Sequence, residues 1–333
     1  MKRRSSVTLI IAPLLGLLLI AALGLAASAQ QTSPTDLVDA LNGLFGKHAG
    51  DRAAHAKGIC LTGTFTPSAD ALKLSNGAHF AKQVPIRARF SLGGGNPNAP
   101  DNAQDNVRGL AVKFDLGNGT STDIVTISAP MFFVKTPELF VEFLKTVATG
   151  DKNKLDAFFA AHPESTRQNA WLMSHPVPAS YAGVGYWGVH AFTFTNAAGG
   201  ETLFKYHLTP EAGDLGLTPD DAKAKGPDFY PDELKDRLAK GPVVFDLVAI
   251  MGKPGDQTSD PTLRWNDEDN RPTTSLGKIS IEAIVPDAPC DGYLPPRKCH
   301  GRSRRTNQRS DLRRPVTGLY RVLHAAKNAV RLA

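Results

Sequence analysis

The chain has 333 residues, 41% of them hydrophobic and 21% charged, which is an ordinary globular balance. Its formal net charge of +6 hints at an anionic partner, but eleven Lys or Arg and a single acid, Asp311, lie between Tyr293 and Ala333. The rest of the chain is therefore net acidic, and the basic tail gives no ground for nucleic-acid binding. Three cysteines exclude a disulfide scaffold: Cys60 and Cys290 could pair in an oxidising compartment or stand as isolated buried thiols, and Cys299 with His300 are too few for a metal site.

The chain opens with a basic segment, Lys2-Arg3-Arg4, followed by an apolar run from Val7 to Ala27 and a small-x-small signal, Ala27-Ser28-Ala29. Residues 1–29 are expected to be a secretory leader, with an uncleaved anchor as the alternative because the run is long; either puts the body outside the cytoplasm, in the periplasm or secreted. No later run approaches a membrane span. What remains is long enough for one large domain.

Thr35 to His48 reads as a helix, with Leu37, Val38, Leu41, Leu44 and Phe45 on one face and Asp36 in its first turn. Strand-like runs follow at Ile59–Phe65, Val84–Leu92, Leu110–Leu116, Ser121–Ile127 and Met131–Val134. Gly93-Gly94-Gly95-Asn96-Pro97 and Asn118-Gly119 supply turn chemistry between them. Pro137-Glu138 opens a helix through Val147, and Leu155–Ala161 and Ser165–Met173 suggest two more. Val184–Phe194 and Thr202–Leu208 return to strand character around an Asn196–Gly200 turn, which predicts a hairpin. Asp232–Ala239 reads as helix, and Val243–Met251 and Ile279–Val285 as the last strands. Many strands with short links, interrupted by helices, predict an α+β fold: an antiparallel β-barrel with helical insertions, as one domain over residues 30–292.

Arg52-Ala-Ala-His55-Ala-Lys57-Gly58 offers a histidine base at the edge of the first strand. A lone histidine is more often a satisfied core or surface residue. This one heads an ordered series: Arg87-Ala-Arg89-Phe90-Ser91, Asp105-Asn-Val-Arg108-Gly109-Leu-Ala-Val-Lys113-Phe114, Ala129-Pro130-Met-Phe132-Phe133, Tyr186-Trp187-Gly188-Val189-His190 and Lys205-Tyr206-His207. Together these motifs make the chain resemble the haem catalases, and more closely their small, exported catalase-related peroxidases, over about residues 35–290.

The resemblance implies a haem (iron protoporphyrin IX) cofactor, a peroxide substrate and an external electron donor. His55 would be the distal acid–base residue and Ser91 the hydroxyl that fixes its tautomer. Arg52 and Arg89 would pair with the haem propionates, and Phe133 would flank the haem or pack the barrel. His190 and His207 are expected as hydrogen-bonders on strands, and Trp187 as core. One departure bears on activity. Large catalases carry a distal asparagine just before the Thr-Pro that precedes the paired phenylalanines, whereas Val125-Thr-Ile-Ser-Ala-Pro130 contains no amide. Peroxidase activity is therefore expected, with weak or absent catalase activity. A fatty-acid hydroperoxide isomerase and a haem-free, inactive barrel are the alternatives.

The resemblance also implies a proximal tyrosinate with an arginine four residues before it, near an ending such as Asn-Asp-Pro-Ile and then Ala-Arg-Ser-Pro-Ala-Tyr. Residues 293–333 have no such ending. A one-base shift of reading frame permits it: Asn307–Leu312 then allow Thr-Asn-Asp-Pro-Ile-Phe, and Arg314–Leu319 allow Ala-Arg-Ser-Pro-Ala-Tyr. The tail thus reads as frameshifted and disordered. Tyr320 is the candidate axial ligand of the printed chain, although the residue four before it is Val316 and not arginine.

Overall fold

The computed structural model describes residues 32–285; the leader, Cys290, the basic tail and Tyr320 lie outside the described residues. Ser33 caps the first helix, α1 (Pro34–Phe45), through a reciprocal capping box with Asp36, and Gly46 ends it at φ +82°. The strands are β1 (Gly58–Pro67), β2 (Val84–Leu92), β3 (Arg108–Gly117), β4 (Thr120–Ile127), β5 (Val177–Pro178), β6 (Tyr186–Trp187), β7 (Phe192–Thr195), β8 (Glu201–Pro210), β9 (Gly216–Leu217), β10 (Val243–Met251) and β11 (Thr273–Ile284). After α1 come the helices α2 (Ala71–Leu74), α3 (Pro137–Ala148), α4 (Lys152–Ala161), α5 (Arg167–Met173), α6 (Pro219–Lys225) and α7 (Tyr230–Leu238).

Eight antiparallel strands close a barrel in the order β10-β11-β1-β2-β3-β4-β6-β8, with β8 pairing back to β10. Closure is tight around most of the ring and narrowest at β6, which pairs with β4 only at Ile127↔Trp187 and with β8 at two positions. Alternation sends Phe65, Phe90, Phe114, Phe204 and Phe245 inward, where each is fully buried. Each such ring contributes about 1.5–3 kcal/mol of burial. A second apolar cluster lies apart from the barrel interior. It joins α1 to α3 and α4 through Leu37, Leu41, Phe140, Leu144 and Phe158.

The structure corrects three expectations. Met131–Val134 is not a strand: the backbone of Phe132 donates to Pro261 O and Met131 O accepts from Gln168 Nε2, so these residues bond to loop and helix rather than to a ladder. Val184–Phe194 is two short strands, β6 and β7: Gly188 N still donates to Tyr206 O, but pairing with β8 then resumes only at Phe192↔Phe204, two residues out of the Trp187↔His207 register, so the residues between leave the ladder. Trp187 is half-buried on the outer face of the barrel, opposite the core expected for it. The Asn196–Gly200 turn does close the β7–β8 hairpin, Asn196 N donating to Gly200 O.

Three histidines sit largely out of water, His79 and His190 buried and His207 half-buried. His79 stacks on Phe114 with ring centroids 4.7 Å apart, and its Nδ1 meets Thr122 Oγ1 at 3.0 Å. Burial lowers His79, His190 and His207 from 6.5 to about 4. Above pH 6.5 such a group is neutral in both folded and unfolded chains and leaves stability unchanged. As pH falls from 6.5 towards 4 only the unfolded chain takes up the proton, so stability falls through that window. Thermal melts between pH 7 and 4.5 are expected to show a falling midpoint, with a shallower slope in His79→Phe.

Candidate functional site

His55 sits in the loop between α1 and β1 with φ +53°, a left-handed conformation that costs a non-glycine residue about 1 kcal/mol or more. Its surroundings hold it there. Arg89 on β2 reaches back across the sheet and donates through Nη1 to His55 O at 2.7 Å and through Nη2 to Ala56 O at 2.9 Å. Gly58 permits this approach, because a Cβ there would lie 2.5 Å from the Arg89 guanidinium carbon. Ala56 N donates to Gly94 O, which ties the loop to the glycine-rich turn after β2.

The imidazole Nδ1 lies 3.0 Å from Ser91 Oγ. Gly109 on β3 provides the room: a Cβ on it would stand 2.8 Å from Ser91 Oγ and 3.1 Å from both Nδ1 and Cε1 of His55. Sequence reading placed Gly109 in a motif without giving it a role, because that role arises from the register Ser91↔Gly109 across β2 and β3.

Two residues on from His55, Lys57 anchors the same loop. Its ammonium contacts Asp101 Oδ1 at 2.7 Å and Asp228 Oδ1 at 2.6 Å, and donates to Ala99 O at 2.9 Å and Pro227 O at 3.0 Å. Asp101 is fully buried, and its Oδ2 accepts from Tyr230 N at the start of α7. Arg108, also buried, donates to the carbonyls of Asp101, Ala103 and Asn106 and to Tyr230 Oη. Burial raises the Tyr230 phenol to about 12, so it stays protonated and donates to Pro178 O. No local pattern marks this knot in the sequence.

Paired residues in neighbouring strands point to the same face. The register therefore places Ser91, Gly109, Ile127, Trp187 and His207 in one outward row across β2, β3, β4, β6 and β8. Arg89, Ala111 and Val125 form the adjacent row, and Val125 is 48% exposed. At the amide-free end of β4 both hydroxyls turn away from the site: Thr126 Oγ1 donates to Leu110 O, and Ser128 Oγ accepts from Arg108 N. Ile127, an apolar side chain, stands in the row beside Gly109.

Phe133 packs in the helical cluster, with ring centroids 4.7 Å from Phe132 and 5.0 Å from Phe143. Ala53 and Ala54, just before His55, pack against the same cluster. The structure thus brings together His55, Ser91 and Arg89, with Phe133 on the cluster that supports their loop. Arg52 is half-buried in that loop. Cys60 is disulfide-bonded, and the chain's other cysteines lie outside the described residues. Among the described residues there is no cluster of three or more His, Cys, Asp or Glu able to hold a metal ion, and no helix long and apolar enough to cross a membrane.

This barrel, with a histidine–serine pair on its outer wall under a helical cluster, is the architecture of catalases. The family model "Catalase" matches residues 32–287. The chain is 35% identical over 286 residues to the catalase-related peroxidase of Synechococcus elongatus, covering 82% of this chain and 84% of that one. It is 40% identical over 253 residues to the catalase-related peroxidase of Mycolicibacterium paratuberculosis, covering 75% and 80%. Catalase A from Saccharomyces cerevisiae superimposes with a TM-score of 0.64 at 22% identity, over 71% of this chain and 52% of that longer one. The chain spans about half the length of that solved catalase. It belongs to the catalase family, a family of haem proteins.

Proposed function

We propose that this chain is a haem-dependent peroxidase, reducing hydrogen peroxide or small organic peroxides with electrons from an external donor. The observation that carries the reading is the His55–Ser91 pair, pinned at a strained backbone position by Arg89. The wall beside it suits a flat apolar macrocycle: Ala111, Val125 and Ile127 present small or apolar side chains on the outward face of β3 and β4. Val125 is the one side chain of this wall that stands well exposed, at 48%, and so is open to contact with a bound group. Arg52 is the cation assigned to a propionate. Arg89 holds the His55 loop, and its part in propionate binding is additional to that.

Haem supplies, when bound, the iron that coordinates a peroxide and takes up its oxidising equivalents. The chain's own residues move the proton. With Nδ1–H donating to Ser91 Oγ, the imidazole is held as the tautomer whose Nε2 carries the lone pair. Nε2 takes the proton from one peroxide oxygen and returns it to the departing oxygen, which leaves as water. The amide-free end of β4, with Ile127 in the row beside Gly109, favours reduction by a donor over oxidation of a second hydrogen peroxide. The basic leader pattern and the disulfide-bonded Cys60 support an exported protein.

The test is spectroscopic and kinetic, on the full chain supplied with haem. A Soret band together with peroxide-dependent guaiacol oxidation is expected. Oxygen evolution at catalase-like turnover would overturn the preference for peroxidase. Absence of any haem band would leave a haem-free barrel, and donor-free consumption of a lipid hydroperoxide would point to an isomerase.

A further inference from the structure

The outward row that carries the His55–Ser91 pair continues past Ile127 to Trp187 and His207. Trp187 is two strands from Gly109, about 10 Å across the sheet at the usual strand spacing. Its ring stacks on His207 at 4.4 Å and 14°. On its other side it meets Trp171 of α5 edge-on, with centroids 5.9 Å apart. Trp171 is itself half-buried, and Met173, two residues further along the helix, is 51% exposed. The chain has three tryptophans, and two of them form this pair between the catalytic face of the barrel and its surface.

We propose that Trp171 and Trp187 are an electron relay, and that the surface at Trp171 is where donors too large to reach His55 are oxidised. The inference rests on the peroxidase reading above. Indole is the most readily oxidised side chain without a proton that must leave first, and two indoles in near contact allow an electron to step between them. The guanidinium of Arg264 lies 5.5 Å from the Trp171 ring centre, but it is paired with Glu268 and Asp269. Glu268 is shared with Lys205, so two carboxylates face two cations and the group is neutral as a whole, where an unpaired guanidinium would oppose loss of an electron from the ring.

The balance is simple. One hydrogen peroxide and two one-electron donors, each bearing one proton, give two waters and two donor radicals. Each electron passes from Trp171 to Trp187 and on to the peroxide-oxidised site, and the donor then refills Trp171. For reduced cytochrome c, which gives electrons alone, the two protons come from solvent.

The experiment compares a small donor, guaiacol, with reduced cytochrome c, and reads the radical directly by electron paramagnetic resonance after peroxide is added without donor. Trp171→Phe is expected to slow cytochrome c oxidation about tenfold or more while guaiacol oxidation stays within about twofold. It is also expected to remove the surface component of the tryptophan radical signal. Trp187→Phe is expected to lose both the signal and cytochrome c oxidation. Unchanged cytochrome c oxidation and an unchanged radical signal in Trp171→Phe overturn the relay. A wild-type chain that oxidises neither donor with peroxide overturns the peroxidase reading itself, and the relay with it.

Discussion

Replacing His55 with alanine is expected to slow peroxide reduction by about 10²–10⁴-fold, the usual contribution of a positioned acid–base group. The fold should survive, because His55 lies in a loop and is not part of either apolar cluster. Alanine keeps the left-handed backbone strain at this position, since only glycine relieves it, so the variant measures loss of the imidazole without a change of backbone preference. Ser91→Ala should cost less. It removes the partner of Nδ1 but leaves the imidazole in place, so the loss is one of tautomer and orientation. That difference has a signature: the His55 variant loses rate at every pH, whereas the Ser91 variant keeps a base whose apparent titration in the rate profile moves. Circular dichroism and haem absorbance check that both variants are folded and loaded. A His55→Ala enzyme with wild-type peroxide consumption would remove this histidine from the mechanism.

The barrel was legible in the sequence because its strands are apolar runs bounded by turn chemistry, as in Val243–Met251 and Val84–Leu92, whose expected and observed bounds coincide. Met131–Val134 was misread because a short apolar run fits a strand as well as a packed loop, and only its hydrogen bonds to Pro261 and Gln168 decide between them. The site was legible in part. His55, Ser91 and Arg89 were marked by their ordered motifs, and the structure places them in contact. Gly109, Ile127 and Lys57 were not assigned roles, since what they do depends on cross-strand register or on partners 42 to 171 residues away. The structure also gives Arg89 a task that its motif did not suggest, holding the carbonyls of residues 55 and 56.

Lys57→Met is expected to destabilise the fold by about 3–5 kcal/mol, the cost of leaving one partner of a buried ion pair without the other. Asp101 decides the magnitude. It is fully buried, and among the described residues its carboxylate, without the ammonium, keeps the Tyr230 amide alone as hydrogen-bond donor. Asp228 makes a contact of similar length to the same ammonium but its side chain is 71% exposed, so Asp228→Ala should cost no more than about 1 kcal/mol. Two ion pairs at nearly equal distance are thus expected to differ severalfold in effect, and thermal melts of the two variants measure that difference. The double variant Lys57→Met/Asp101→Asn should recover part of the loss, because the orphaned charge is gone. The catalytic consequence follows from chain position. Lys57 ties the loop that holds His55 to both the β2–β3 connection and the entry to α7, so loosening it lets the imidazole leave Ser91. Peroxide reduction by Lys57→Met, measured well below its melting midpoint, should therefore fall in kcat more than in KM. Equal stability losses in the Lys57 and Asp228 variants would mean that the buried carboxylate is satisfied without its lysine.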